Sequence, residues 1–210
     1  MRNSLAKIKL SEQEMQNIKK DPDNQDWRKI SRLYVLSENF IRQFENKVHW
    51  GNICCYQCLS EDFMIEFQDK IEWFEISFCQ ILSEDFIRKF QDKVCWKYVS
   101  CYQKLSEYFI EEFIDKINLD QAIKNKVKVS ENFINKYLDK LSMFEVCYYQ
   151  NLSEEFIRNN KNKIYWSCVC RKQNLSKQFI VDFFDFINFN EILYNDNISK
   201  DVKDYCRMFL

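Results

Sequence analysis

The chain has one glycine, one proline and one histidine in 210 residues. Glycine is the residue that reaches positive φ cheaply, so its scarcity excludes designs that depend on it: glycine-rich phosphate cradles, nucleophile elbows and tight two-residue hairpins. A dinucleotide-binding fold, a P-loop enzyme and a turn-rich β-sandwich are thereby set aside. A dominant charge is also missing, since 31 basic and 32 acidic residues leave a net charge of -1. That balance argues against nucleic acid as the partner, because phosphate binding needs a basic surplus. No stretch approaches the roughly 18 apolar residues of a membrane span. The segment from Met1 to Lys9 has no apolar run behind its charges, so no signal peptide is read. The expectation is an intracellular chain whose ten cysteines are reduced thiols, with no membrane contact.

What is present is a ruler. An apolar anchor followed by serine recurs at Leu10-Ser11, Leu36-Ser37, Leu59-Ser60, Leu82-Ser83, Leu105-Ser106, Val129-Ser130, Leu152-Ser153, Leu175-Ser176 and Ile198-Ser199, with steps of 26, 23, 23, 23, 24, 23, 23 and 23. The five tryptophans, Trp27, Trp50, Trp73, Trp96 and Trp166, keep the same spacing, and Leu119, Met143 and Phe189 stand at the equivalent positions. Such self-similarity marks a repeat architecture.

Within a repeat, aromatic residues stand four and eight places after the anchor and aliphatic residues five and twelve places after it, as in Phe86, Ile87, Phe90 and Val94. Offsets of 4, 5, 8 and 12 share one face of a helix, predicting about three turns. The serine is a good N-cap, and the anchor and the residue at +5 form a hydrophobic staple around it. Acids at the start and lysines at the end suit the helix dipole. The glutamate at N1 is out of place for a capping box, which needs it at N3. After a break, the Trp and an aliphatic residue three places on predict a second helix of roughly two turns. Asn118, Ser142 and Asn188 are suited to cap it, whereas His49, Cys95 and Tyr165 are poor caps. One continuous helix is excluded, because equivalent positions would rotate by about 140° per repeat. Leucine-rich repeats need an alternating strand and an asparagine ladder that the sequence does not have. The predicted fold is all-α: an α-solenoid of tandem two-helix repeats of about 23 residues. It fills residues 1–210 as one array, with a capping region at 1–35, regular repeats at 36–197 and a partial repeat at 198–210.

The run from Leu82 to Val94, followed by Trp96, Ser100, Tyr102 and Gln103, resembles a short tandem repeat, roughly LSEDFIxxFxDKVDWxxISxYQ, found in uncharacterised proteins of giant DNA viruses of amoebae and some phages. The resemblance covers the chain from about Leu36 to Phe189. Within that span the chain has no Asp before its Trp residues and loses Trp at Leu119, Met143 and Phe189. The resemblance implies a helical repeat protein of viral origin and carries no activity, cofactor or functional residue with it.

Candidate chemistry is sparse. Cys55-x-x-Cys58, with Cys54 adjacent and Cys79 in the next repeat, is the nearest approach to a metal motif. Cys54, Cys147 and Cys170 fill a slot held elsewhere by serine, however, which reads as small packing residues, and no metal or cofactor is expected. His49 reads as a turn residue. The Asp-Lys pairs, such as Asp69-Lys70 and Asp92-Lys93, repeat with the structural period and read as a solvated face. Gln57, Gln80, Gln103, Gln150 and Gln173 read as bonding backbone between helices, the alternative being a surface ladder that grips a peptide. The 24-residue step carries Lys124, Lys126 and Lys128, either a decayed repeat or a small basic patch for an acidic partner. Asn160 stands where every other full repeat has Phe or Tyr, either as a local weak point or as the mouth of a pocket beside Trp166. The function expected is a non-enzymatic scaffold that binds a protein partner along its repeats. A self-associating structural protein and, less favoured by charge, a single-stranded RNA reader are the alternatives.

Overall fold

The computed structural model describes residues 8–210, so the start of the chain through Lys7, on which the reading of no signal peptide partly rests, lies outside the described residues. The chain divides into two compact units, Met1–Gln103 and Lys104–Leu210. Each is a stack of two-helix repeats, which makes the fold the all-α solenoid that the periodicity predicts. The first unit contains α1 (Glu12–Lys20), α2 (Trp27–Leu33), α3 (Glu38–Gln43), α4 (Trp50–Tyr56), α5 (Glu61–Glu66), α6 (Trp73–Cys79), α7 (Glu84–Lys89) and α8 (Trp96–Tyr102). The second contains α9 (Glu107–Glu112), α10 (Leu119–Lys124), α11 (Glu131–Lys136), α12 (Met143–Tyr149), α13 (Glu154–Asn159), α14 (Trp166–Lys172), α15 (Lys177–Asp182), α16 (Phe189–Leu193) and α17 (Lys200–Cys206). From α3 to α15 the odd-numbered helices are the serine-capped ones. The even-numbered helices start at the Trp position and stack on one another, α2-α4-α6-α8 in one unit and α10-α12-α14-α16 in the other. The described residues hold two strands, β1 (Ile8–Lys9) and β2 (Tyr34–Val35), which form a two-residue parallel pair. No described helix is long and apolar enough to cross a membrane.

The serine-capped helices are shorter than the three turns predicted. From α3 to α15 each has six residues and ends at the +8 position, whose backbone leaves the helical region (Phe90 φ -115°, ψ 30°). A single hydrogen-bonded turn then carries the chain on, with Val94 N–H donating to Phe90 O at 3.0 Å. No glycine or proline marks this break. It holds because its loose ends are taken by fixed partners. The carbonyl at +9, released from the helix, accepts the indole N–H of the same repeat's Trp: Trp50 to Glu45 O at 3.0 Å, Trp73 to Gln68 O at 3.2 Å and Trp96 to Gln91 O at 2.8 Å. The N–H at +13 donates to the small residue at +18 of the preceding repeat: His49 to Ser31 Oγ at 3.0 Å, Glu72 to Cys54 Sγ at 3.4 Å and Cys95 to Ser77 Oγ at 2.8 Å. The serine slot, read as a packing position, is therefore also a hydrogen-bond acceptor.

Capping follows the sequence on the odd helices and departs from it on the even ones. Each Ser from Ser37 to Ser176 accepts the N3 N–H, as Ser83 does from Phe86 at 3.1 Å. The N1 glutamate has a use that the single-helix rule did not anticipate: it caps the next repeat. Glu61 accepts both the backbone N–H (2.6 Å) and the hydroxyl (2.9 Å) of Ser83, and Glu131 does the same for Ser153. Ser11 instead takes Glu14 from its own helix, at N3, in an ordinary capping box. On the even helices, Asn118 and Asn188 cap as expected. Ser142 makes no side-chain cap, while His49 caps through Nδ1, which accepts from Asn52 N–H at 3.2 Å.

The core lies between the two helix layers. Phe63, Phe109, Phe133 and Phe179 at +4 are fully buried, as are Ile53, Ile76 and Val99 on the even helices. Trp27, Trp50, Trp73 and Trp166 each pack on the two rings of the following repeat, Trp50 on Phe63 and Phe67, Trp73 on Phe86 and Phe90, Trp166 on Phe179 and Phe183, with centroids 4.8–6.3 Å apart.

Candidate functional site

The glutamines form a buried internal ladder. Gln80 Nε2 donates to Cys54 O (2.6 Å) and Gln57 O (2.7 Å), while its Oε1 accepts Leu59 N–H (3.3 Å). Gln57, Gln103 and Gln173 repeat the pattern, each amide joining two carbonyls at the end of one even helix to the anchor N–H that follows them. All are almost fully buried, so they offer no edge to a peptide. At the end of the second unit Asn195 serves the same two carbonyls from one position earlier, which suits its shorter side chain.

Lys126 occupies this glutamine slot in the 24-residue repeat. The extra residue closes α10 with a left-handed turn: Lys126 has φ 64°, and Val127 N–H reaches back to Ala122 O at 3.2 Å. Lys124, Lys126 and Lys128 are all exposed. Lys124 is already engaged by Glu145 at 2.8 Å, which raises its pKa through the hydrogen bond, so the patch presents Lys126 and Lys128. Asn160 is the C-cap of α13, a helix of the usual six residues, and its Nδ2 donates to Phe156 O at 3.0 Å. The three lysines are not among its partners. In the register of the other repeats, the +8 residue packs on the Trp position of the preceding repeat. For Asn160 that position is Met143 and not Trp166.

The face that varies is the outer side of the even helices. Counting from the Trp position, the residue at +5 meets the residues at +2 and +6 of the next repeat. This meeting is Arg32 over the Tyr56 ring (5.6 Å), Cys55 with Glu75 and Cys79, and Phe78 against Tyr98 and Tyr102 (5.0 and 4.9 Å). In the second unit it is Lys124 with Glu145, Lys172 over the Tyr148 ring (4.5 Å) and Arg171 with Glu191 (3.5 Å). The backbone interlock recurs in most repeats while the chemistry of this column changes from one step to the next. Exposed aromatics lie in it or beside it: Phe74 (54%), Phe78 (39%) and Tyr102 (41%) in the first unit, and Phe144 (43%) and Tyr165 (51%) in the second.

The cysteine motif divides. Cys54 is buried in the hydrogen-bonding slot and Cys58 is exposed, whereas Cys55 turns toward the next repeat. Its Sγ lies 2.9 Å from Cys79 Sγ and 2.8 Å from Glu75 Oε2. Glu75 carried no signal in the sequence, because an exposed-face glutamate is ordinary until the register across the stack is known. Comparison with family models, curated proteins and solved structures returns no match.

Proposed function

We propose that the protein is a non-enzymatic scaffold that binds a protein partner through the outer face of its even helices. The reading rests on one observation: the glutamine ladder and the serine caps recur through most of the repeats, while the Trp+5 column varies among cation–π, thiol–carboxylate, aromatic and ion-pair contacts. A framework that holds geometry constant and varies one face is suited to recognition. The aromatic cluster of Phe74, Phe78, Tyr98 and Tyr102 is the best anchor, since its rings are in mutual contact and Phe74, Phe78 and Tyr102 remain open to solvent. Aromatic residues of this kind are enriched at interface centres. The viral origin implied by the repeat resemblance and the intracellular setting expected for reduced cysteines belong to the same proposal.

The test is affinity purification from expressing cells with wild type and a Phe74→Ser/Phe78→Ser variant, alongside light scattering of both. A partner retained by wild type and lost by a variant with unchanged circular dichroism supports the scaffold. A partner indifferent to the variant removes this face from consideration. Concentration-dependent assembly with no partner favours the self-associating alternative.

A further inference from the structure

The Trp+5 column contains one meeting unlike the rest. In the Lys124–Glu145 and Arg171–Glu191 pairs, a carboxylate at +2 is balanced by a protein cation at +5. Glu75 keeps the carboxylate at the same position, but the residue facing it is the thiol of Cys55, and the +6 residue on its own helix is the thiol of Cys79. Glu75 and Cys79 are four apart on α6 and so share a face. Cys55 approaches from α4. The three donor atoms lie within 4.8 Å of one another, and all three residues are half-buried, shielded from bulk water yet reachable from it.

We propose that Cys55, Glu75 and Cys79 form a three-ligand site for a thiophilic divalent cation of the zinc class, with the fourth position left to an exogenous ligand. Two thiolates and a carboxylate are an accepted donor set for such an ion, and three protein ligands is the number found in open sites. Around a tetrahedral ion the donors would stand about 3.6–3.8 Å apart, so the triangle must open by roughly 1 Å, which side-chain rotation supplies. Both halves of the site sit on helices fixed by the glutamine ladder, Gln80 directly following Cys79. Thiolate ligation releases the thiol protons to solvent, so binding weakens as pH falls. The site is independent of the scaffold reading.

The experiment is titration of the reduced full-length chain with Co2+, followed by displacement with Zn2+. One equivalent of cobalt should give a thiolate charge-transfer band in the near ultraviolet, abolished by zinc. Cys55→Ser and Cys79→Ser should each weaken binding about a hundredfold and Glu75→Gln about tenfold, with helix content unchanged. Cys54→Ser and Cys58→Ser should bind within about threefold of wild type. The proposal is overturned if excess cobalt gives no charge-transfer band, if the band survives in the Cys55→Ser/Cys79→Ser double variant, or if Cys58→Ser abolishes it. It is equally overturned if the reduced chain takes up no cobalt while mass spectrometry of the oxidised chain finds a Cys55–Cys79 disulfide, which would make the pair a redox couple.

Discussion

Replacing Gln80 by leucine tests the claim that buried amides hold successive repeats together. The side chain keeps its approximate volume and loses all its polarity. Three backbone groups then lose a partner in the interior: Cys54 O, Gln57 O and Leu59 N–H. A buried polar group left unsatisfied costs about 1–3 kcal/mol. The Leu59 bond, at 3.3 Å, is the longest of the three and weighs least. Taking the low end for each group, the variant should lose at least about 3 kcal/mol. That is a large share of the roughly 5–15 kcal/mol that a whole domain possesses. Because repeat arrays can unfold in parts, the readout should combine urea denaturation with hydrogen exchange at single amides. The Leu59 amide should lose protection, while the Leu36 amide, held by Gln57 one repeat earlier, should change little. Gln43→Leu, on the exposed side of α3, is the control and should fall within about 0.5 kcal/mol of wild type. A Gln80→Leu protein within that same margin, with Leu59 still protected, would show that the ladder is incidental to the stack.

Three further outcomes are expected. Phe86→Ala should cost about 3–5 kcal/mol as a core cavity, while Cys54→Ser should cost under about 1 kcal/mol, because Ser31 and Ser77 already fill that slot; denaturation midpoints will show the contrast. Lys126→Gly should raise stability by about 0.5–1 kcal/mol, since it relieves a left-handed backbone that a lysine adopts at a cost, and a lower melting temperature would contradict the assigned turn. The thiols of Cys54, Cys147 and Cys170, with an ordinary value of 9.0, are pushed up to about 12, 11 and 11, chiefly by burial. The unfolded chain then releases protons above pH 9 that the folded chain keeps, so this contribution is intact below pH 9 and falls away as pH rises toward 11–12. Wild type should lose stability between pH 8 and 10.5 more steeply than a variant with serine at all three positions, and parallel curves would refute it.

The repeat, its two helices and its aromatic core could be read directly from the spacing of Ser, Phe and Trp, because a 3.6-residue stripe and a serine cap are local signals. The break at +8 could not. Its carbonyl is taken by the indole of Trp50 or Trp96 five places on, and its N–H by Ser31 or Ser77, a bond that shows only once residues 18 places apart are known to be neighbours. The second role of Glu61 was hidden for the same reason. At N1 it cannot cap its own helix, yet one repeat on it caps Ser83. The candidate metal ligands follow this pattern: Cys55 and Cys79 were visible as cysteines, but Glu75 joins them only through the stacking register. The basic cluster was visible as charge, whereas Lys124's bond to Glu145 was not.

These cross-repeat bonds also account for the scarcity that the composition shows first. A helix usually ends at a glycine, whose left-handed backbone lets the last carbonyls find partners locally, or just before a proline. Here the ends of the even helices are closed from outside: Cys54 O and Gln57 O by Gln80, Ser77 O and Gln80 O by Gln103, Cys147 O and Gln150 O by Gln173. With these C-terminal carbonyls already bonded, no residue in the regular repeats has to adopt positive φ. At α10 the extra residue changes the ending: Lys126 is the only described non-glycine residue with positive φ and closes the helix by a local turn, while Gln150 of the next repeat still bonds Val127 O and Val129 N–H. The amide supplied by the following repeat therefore ties the local geometry of these even-helix ends to the integrity of the stack.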